Sequence, residues 1–354
     1  MLMRLIPLDL IINTELGKIV VSKLIESDHE MTKIDDQTGD LITCKVQSMQ
    51  LPEDLGAVNH IFCDKTGTLT KNELVFRGIS ISGNLSQGSD TTQILDQVYA
   101  KNSFTTEMLF KCFVLCHDVI PMNVKGKIVM SGTSQDELIV IEVAGLSKYF
   151  TLEARDSESI TLRDNQDNSL EVVKVLKTFE FSSDRKMMTV IVRIGSKTLA
   201  FCKGADTSME PRLINLTDQD RASLDDLDDF ADQGLRTLVY AYRELPNYTP
   251  DQIENLRNED IEKDFTLLGV TGVEDLLQDD VKSCITGFKD AGIRVWILTG
   301  DKDATANQIG ISCGVLSTSR SIVQIESIDE NTDATSWLGK DVLISGQVIS
   351  ELLE

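Results

Sequence analysis

The sequence has little positive charge. Its 354 residues include 34 lysines and arginines against 57 aspartates and glutamates, which gives a formal net charge of −23 at pH 7. Proteins hold nucleic-acid backbones mainly through lysine and arginine, and no basic patch or tail stands out, so a nucleic-acid partner is excluded. Hydrophobic residues make up 41 % of the chain, enough for real cores, and the length predicts two domains or one large domain with an insertion.

Long apolar runs are also missing. A membrane-spanning helix needs about 18 or more apolar residues with few or no charges. The nearest candidate, residues 1–25, is interrupted by Arg4, Asp9, Glu15 and Lys18. It has neither the clean apolar centre nor the small-residue cleavage site of a signal peptide, so its simplest interpretation is an amphipathic helix.

The cysteines and histidines form no strong metal pattern. Seven cysteines, an odd number, are scattered through apolar runs, which is typical of a reducing, cytosolic environment rather than a disulfide framework. Cys112, Cys116 and His117 lie close together in sequence, but their spacing fits no strong zinc motif. We therefore predict that the two cysteines belong to the core, since free cysteine is among the most buried residue types.

The order of the predicted elements indicates an inserted domain. Strand and helix patterns alternate near both ends of the chain, which is typical of a parallel sheet. The middle contains successive β-branched runs, which suggest an antiparallel sheet. The strands are predicted over residues 59–63, 138–143, 171–181, 188–193, 198–202, 267–275 and 293–298, and the helices over 104–119, 219–233, 278–290 and 303–311.

Two loops that follow predicted strands contain the residue types best suited to catalysis and phosphate binding. The first is DKTGTLT, residues 64–70, and the second is Thr299-Gly300-Asp301. In open parallel sheets, ligands bind beyond the carboxyl ends of the strands. A carboxylate there can act as a nucleophile toward a phosphoryl group, and Lys65 adds a positive charge beside it. Gly67 allows the tight turn that points backbone N–H groups at an anion.

These loops resemble the signature motifs of the P-type ATPases, a branch of the haloacid-dehalogenase-like superfamily. DKTGTLT is similar to the family's phosphorylation motif, and further matches follow in the family's order. KTFEFSSDRKMM at 177–188 resembles its nucleotide-binding strand, KGAD at 203–206 its KGA motif, and GLRTL at 234–238 a third motif. The stretch 292–314, with WILTGDK, resembles the phospholipid-transporting (type IV, flippase) branch in particular.

The resemblance implies an α/β fold of two parts. A haloacid-dehalogenase-like Rossmann phosphorylation domain, incomplete in this chain, would be interrupted by an α+β nucleotide-binding domain built on an antiparallel sheet. Residues 1–28 would be the end of a membrane helix and its stalk. Residues 29–76 and 267–354 would be the two parts of the phosphorylation domain, and 77–266 the inserted domain.

The resemblance also assigns roles to individual residues. Asp64 would be the catalytic aspartate that is phosphorylated from ATP, and Asp64 with the Thr66 backbone carbonyl would bind Mg²⁺. Phe181 would stack on adenine, a contact that an aromatic face makes well. The residues implied in nucleotide binding are Asp64, Lys65, Thr66, Glu137, Phe181, Lys203, Arg236, Thr299, Gly300 and Asp301.

The sequence departs from the family pattern in three places. Gln135 stands where the family usually has proline beside the acidic residue that matches Glu137. Asp9 replaces a small residue of the flippase membrane-helix motif, and a carboxylate at membrane depth would be costly. The sequence ends at Glu354, before the family's distal lysine and GDGxND motif, so the resemblance implies a truncated fragment.

The resemblance implies an enzyme that moves phospholipid at the expense of ATP through an aspartyl-phosphate. The protein would be integral to a membrane that the sequence does not identify, with these domains in the cytosol. ATP, Mg²⁺, phospholipid and the membrane would be its partners, together with an accessory subunit in some cases. Three alternatives stay open: a catalytically incomplete ATP-binding module, a P-type cation pump, and a soluble phosphatase of the same superfamily.

Overall fold

The structure is a computed structural model that describes residues 8–34, 39–101, 103–124, 127–300, 303–317, 321–325, 327, 334–337 and 339–353. The α-helices are α1 (Leu8–Glu26), α2 (Leu51–Gly56), α3 (Thr91–Tyr99), α4 (Phe104–Leu115), α5 (Gln135–Leu146), α6 (Asp206–Met209), α7 (Asp218–Asp232), α8 (Pro250–Glu254), α9 (Asn258–Ile261), α10 (Val281–Asp290), α11 (Asp303–Ser312) and α12 (Gly346–Leu353). Short 3₁₀ turns cover His29–Met31, Glu210–Arg212 and Ala334–Trp337.

The strands follow the same chain order. They are β1 (Thr32–Ile34), β2 (Leu41–Thr43), β3 (His60–Asp64), β4 (Thr70–Ile81), β5 (Asn84–Gln87), β6 (Ile120–Val124), β7 (Lys127–Ser131), β8 (Phe150–Arg155), β9 (Ser159–Asp164), β10 (Leu170–Ser182), β11 (Met187–Ile194), β12 (Lys197–Gly204), β13 (Arg236–Leu245), β14 (Thr266–Leu277), β15 (Arg294–Leu298), β16 (Ile322–Ile325) and β17 (Asp341–Ile344). Compactness divides the chain into two units: residues 1–62 with 287–296, and residues 63–286 with 297–354.

The first unit contains α1, the antiparallel β1–β2 pair, α2 and the first residues of β3 and β15. Its α1 exposes apolar side chains along its length, among them Leu10, Leu16 and Leu24. No helix in the described part of the chain is long and apolar enough to cross a membrane. Within this unit, the Trp296 indole N–H donates to His60 Nδ1 at 3.0 Å.

The second unit is built on a nine-stranded sheet with the order β5-β4-β14-β13-β12-β11-β10-β9-β8. Every pair of neighbouring strands in it is antiparallel. The prediction of an antiparallel sheet in the middle of the chain is thus confirmed. A separate pair, β16 and β17, is parallel.

Helices cover both faces of the large sheet. On one face α3, α4 and α5 pack against β-strand side chains such as Phe76, Val190 and Phe201, all of which are buried. On the other face α7 presents Leu227 and Phe230 to a second core. Because apolar side chains of these helices cover both faces, the central strands β11 and β12 are nearly continuous buried, mostly hydrophobic runs.

Two sequence-based predictions about secondary structure are wrong. The run predicted as a strand over residues 138–143 is the middle of α5, where Val140, Ile141, Val143 and Ala144 are buried. The strand predicted over 267–275 forms as β14, but it joins the antiparallel sheet between β4 and β13 rather than a parallel one. The predicted domain boundary after residue 76 falls inside β4, and the boundary after residue 266 lies at the start of β14.

Candidate functional site

The loop predicted to be phosphorylated follows β3 directly. Asp64 ends the strand with an exposed side chain, and the chain then turns at Gly67, whose φ is +74°. The Gly67 N–H donates to the Thr70 hydroxyl at 3.1 Å, which closes the turn. The Gln278 side chain donates to the Thr68 carbonyl at 3.0 Å. The segment after β14 therefore holds this loop in place.

Lys65 points inward from the same loop. It is only 1 % exposed, and its Nζ lies 3.5 Å from Asp275 Oδ2, near the end of β14. Both Asp275 carboxylate oxygens are buried and have no hydrogen-bond partner among the described residues. The sequence reasoning missed Asp275, although a carboxylate near the end of an apolar strand was a signal of the kind used for Asp64.

Arg236 lies between two carboxylates. Its Nη2 donates to Asp136 Oδ2 at 2.8 Å, and its Nη1 lies 4.0 Å from Asp275 Oδ2. Burial raises the pKa of the Asp136 carboxyl, while the positive charge of Arg236 opposes that rise. The ion pairs thus connect Lys65 of the loop to the first turn of α5 through Asp275 and Arg236.

The next residue of α5 makes the second connection. Glu137 Oε1 accepts a hydrogen bond from Lys203 Nζ at 2.6 Å, and both side chains are 9 % exposed. Glu137 Oε2 accepts the Asp118 backbone N–H at 2.9 Å. The predicted pocket residues Glu137 and Lys203 therefore touch each other, and Asp118 is a third member that sequence reasoning missed.

The turn after α4 supports Glu137. His117 is fully buried, with Nε2 donating to the Val114 carbonyl at 2.9 Å and Nδ1 accepting the Val119 N–H at 3.0 Å. Burial, with the positive charges of Arg155 and Lys203 nearby, lowers the pKa of His117 to about 3. The ring is therefore neutral at physiological pH and fixes the backbone that presents the Asp118 N–H.

The cysteines before this turn lie in the core, as predicted. Cys112 and Cys116 are both buried, and the Cys116 thiol donates to the Met188 and Phe201 carbonyls at 3.6 Å. Burial raises the pKa of the Cys112 thiol well above its usual value. A protonated thiol in such surroundings behaves as a small apolar group.

Phe181 lies near the end of β10 with 62 % of its side chain exposed. Phe179 pairs with Thr189, while Ser182 pairs with Met187, so two residues of β10 share the position opposite Met188. This is a β-bulge, a device that redirects a side chain at the end of a strand. An exposed aromatic ring on a bulge is available to a planar ligand.

The second predicted loop is only partly described. Thr299 and Gly300 follow β15 and are exposed, and a methyl group added at Gly300 would meet nothing within 4 Å. Asp301 lies outside the described residues. The phosphate-binding role of this loop stays a prediction.

The residues predicted for magnesium are compatible with that ion. Asp64 offers an exposed carboxylate and Thr66 a backbone carbonyl in an extended conformation, with φ −75° and ψ 124°. Mg²⁺ prefers oxygen ligands and typically uses one or two carboxylates together with water and substrate phosphate. No cluster of three metal-ligating His, Cys, Asp or Glu side chains occurs in the described part of the chain, and such a site does not require one.

Comparisons with known proteins identify the class. The family model described as P-type ATPase, cytoplasmic domain N, matches residues 106–280, which include α5, β10, β12 and β13. The chain belongs to the P-type ATPase family. The predicted inserted domain, 77–266, overlaps most of the matched range.

Individual relatives identify the branch. Phospholipid-transporting ATPase 2 of Arabidopsis thaliana is 34 % identical over 88 % of this chain. A phospholipid-transporting ATPase of Schizosaccharomyces pombe is 31 % identical over 95 %, and phospholipid-transporting ATPase IC of Homo sapiens is 29 % identical over 92 %. The chain thus belongs to the branch of the phospholipid-transporting ATPases, as its motifs predicted. It spans 29–30 % of the length of these relatives.

Proposed function

We propose that this chain supplies the nucleotide-binding and phosphorylation-site portion of an ATP-driven phospholipid transporter. Asp64 would be the nucleophile, and Phe181, Lys203 and Glu137 would bind the nucleotide base. The full protein would be integral to a membrane, with these domains in the cytosol. Its transport activity, its lipid substrate and any accessory subunit belong to the proposal.

One observation carries the proposal most strongly. Ion pairs run from Lys65 to Asp275, on to Arg236 and then to Asp136, with no separation longer than 4.0 Å. The next residue of α5, Glu137, pairs with Lys203. Residues predicted to contact the two ends of ATP are thus joined within one compact unit. This supports a single site that binds the base and phosphates together.

The proposed chemistry begins when a carboxylate oxygen of Asp64 attacks the γ-phosphorus of ATP. The new P–O bond forms as the bond to the β–γ bridging oxygen breaks, and ADP leaves. Water later attacks the acyl-phosphate, releasing phosphate and restoring the Asp64 carboxylate. Bound Mg²⁺ would supply the positive charge that phosphoryl transfer requires.

Arg236 and Lys65 would balance the phosphate charge during this step. Arg236 presents a planar guanidinium suited to phosphate oxygens, while Lys65 acts as a point charge. We further propose that residues 29–76 and 267–354 belong to a haloacid-dehalogenase-like phosphorylation domain. In this scheme, 77–266 is the inserted domain and 1–28 continues from a membrane helix.

Phosphorylation is tested with ATP labelled at the γ-phosphate, in the presence of MgCl₂. The full-length protein that carries this chain should acquire an acid-stable label that hydroxylamine removes. Asp64→Asn should abolish the label. The control Asp279→Asn should retain the label, because Asp279 is exposed and forms its ion pair with Lys71, outside the DKTGTLT loop. Equal labelling of the Asp64→Asn variant would refute the proposal.

A second candidate is an ATP-binding module without catalysis, since the matched family model, P-type ATPase cytoplasmic domain N, covers residues 106–280 and does not include Asp64. In that case the isolated chain binds ATP but acquires no label at Asp64. A cation pump is distinguished by what accelerates dephosphorylation. Acceleration by phosphatidylserine or phosphatidylethanolamine supports the lipid transporter, and acceleration by metal cations alone supports the pump.

A further inference from the structure

We infer that Arg185 is a positioning residue that holds Phe181 in place for a nucleotide base, with the buried Glu262 as its anchor. This inference rests on the proposed nucleotide-binding role of Phe181. Neither Arg185 nor Glu262 was among the residues predicted from the sequence. Their role follows from the contacts around the β10 bulge.

Arg185 holds both residues that flank Phe181. Its Nη2 donates to the backbone carbonyl of Glu180, and its Nε donates to the Ser182 hydroxyl at 3.2 Å. The Arg185 backbone N–H also lies 3.4 Å from the same hydroxyl. The guanidinium therefore holds the backbone on one side of the aromatic residue and the Ser182 side chain on the other.

Glu262 fixes the guanidinium in turn. Arg185 Nη1 donates to Glu262 Oε1, and the Glu262 side chain is 2 % exposed. The same oxygen accepts the Thr189 hydroxyl of β11 at 2.9 Å. A buried carboxylate with two donors has one orientation, and the rigid fork of arginine transmits that orientation to the bulge.

Phe181 needs such support because its own packing contacts do little to fix the position of its ring. With 62 % of its side chain exposed, it has few neighbours to fix its position. The chain reverses immediately after it, where the Lys186 N–H donates to the Ser182 carbonyl at 2.7 Å and Lys186 has a φ of +51°. Holding a ring in its binding orientation before the ligand arrives lowers the entropy lost on binding.

Arg185 is directed toward the protein rather than toward a ligand. Its Nε, Nη1 and Nη2 each donate to an acceptor of the protein. Three of the five guanidinium N–H groups are therefore used within the protein, and the Arg185 side chain is only 20 % exposed. The geometry thus favours an effect that passes through Phe181.

A double-mutant cycle measures that dependence. The affinity of the chain for ATP is determined by isothermal titration calorimetry for the unaltered protein, Phe181→Ala, Arg185→Lys and the double variant. Lysine keeps a positive charge for Glu262 but cannot reach the Glu180 carbonyl and Ser182 hydroxyl together. Arg163→Lys is the control, because Arg163 also pairs with a carboxylate, Glu153, but lies opposite Leu170 at the other end of β10 from the bulge.

We expect Phe181→Ala to weaken ATP binding about 5- to 150-fold, the range of one lost base–aromatic stack. Arg185→Lys should weaken it about 3- to 10-fold. In the Phe181→Ala background, Arg185→Lys should add less than about twofold, since the residue through which it acts is gone. Arg163→Lys should leave the affinity for ATP unchanged.

Other outcomes overturn the inference in distinguishable ways. If Arg185→Lys weakens binding by the same factor in both backgrounds, or not at all, the positioning role is refuted while the proposed site stands. If Phe181→Ala has no effect, the nucleotide-binding role of Phe181 fails, and the inference fails with it. Should Arg185→Lys not fold, Ser182→Ala removes one contact and keeps the Arg185–Glu262 pair. For the inference to survive, Ser182→Ala must weaken ATP binding at least about twofold in the otherwise unaltered protein, and by a smaller factor in the Phe181→Ala background.

Discussion

The buried neutral His117 predicts that the second unit loses stability when the pH falls below 6.5. Its pKa is about 3 in the folded protein, against 6.5 as the ordinary value. The unfolded chain therefore binds a proton between these pH values, while the folded chain does not. Stability that is fully present above pH 6.5 decreases as the pH falls toward 3, because protonation favours the unfolded state.

The size of this effect follows from the two pKa values. One pKa unit corresponds to about 1.4 kcal/mol, and pH 5.0 lies about 1.5 units below the unfolded pKa. His117 protonation should thus remove about 2 kcal/mol of unfolding free energy between pH 7.5 and pH 5.0. That is a large share of the roughly 5–15 kcal/mol that stabilises a typical domain.

The assay is urea unfolding followed by far-ultraviolet circular dichroism at both pH values. His117→Asn is the test variant, because its Oδ1 can accept the Val119 N–H as Nδ1 does. The variant starts from a lower stability, but its loss between pH 7.5 and 5.0 should be about 2 kcal/mol smaller than that of the unaltered protein. The exposed His29, changed to Asn, is the control and should leave the loss unaltered.

Carboxylates also titrate over this range, but they do so in both proteins. The difference between the two losses therefore isolates His117 if the variant keeps the fold. Equal losses in the unaltered protein and in His117→Asn would refute the reasoning, since the ring would then bind a proton as easily in the folded as in the unfolded state.

Three further predictions concern stability, each measured as the change in urea unfolding free energy. Lys203→Met should cost about 3–5 kcal/mol because it leaves Glu137 buried without its cation, and adding Glu137→Gln should recover part of that loss. Gly204→Ala should cost about 1–3 kcal/mol, since the new Cβ would lie 2.8 Å from the Lys186 backbone oxygen. Its control, Gly287→Ala in α10, meets open space and should gain about 0.5–1 kcal/mol. Ser223→Ala should cost about 1–3 kcal/mol, because the Gly83 backbone N–H in the β4–β5 turn donates to the Ser223 hydroxyl and would lose that acceptor. A gain from Gly204→Ala, or no loss from either of the other two changes, would contradict the described contacts.

Four of the nine strands of the central sheet, β10, β11, β12 and β14, were predicted from the sequence, because they contain runs of β-branched and other apolar residues. The strands β4, β5, β8, β9 and β13 were not predicted. The same signal misled at α5, where Leu138 to Val143 has the composition of a buried strand. Both faces of α5 pack against other elements, so apolar residues occur all round it and no helical period remains. Helix and strand cannot be distinguished by periodicity in such a run.

The pairing direction of β14 could not be predicted from its local sequence, for a different reason. Its residues are buried from Leu267 to Val273, which is typical of a strand covered on both faces. Parallel and antiparallel strands of that kind have the same composition, and only the partners decide between them. The partners β4 and β13 lie about 190 and 30 residues earlier in the chain, respectively.

In the candidate site, too, the tertiary partners of the predicted residues could not be derived from the sequence. The motifs identified Lys65, Lys203 and Arg236, because lysine and arginine beside glycine-rich turns are suited to nucleotides. They also identified Glu137, which holds Lys203, but they did not identify Asp136 and Asp275 as the carboxylates that hold Arg236 and Lys65. The partner of a buried charge is set by tertiary contacts, which a single sequence does not contain.

The first turn of α5 explains how an acidic chain can prepare a site for an anion. Asp136 holds Arg236 and the adjacent Glu137 holds Lys203, so one helical turn fixes the spacing of two cations. Carboxylates are favourable in that turn because the helix dipole is positive there. The same carboxylates reduce the attraction of each cation for phosphate, so affinity must come partly from the base. In the proposed site, the exposed Phe181, held by Arg185, would supply that contribution, so the geometry of the β10 bulge would be as important to binding as the positive charges.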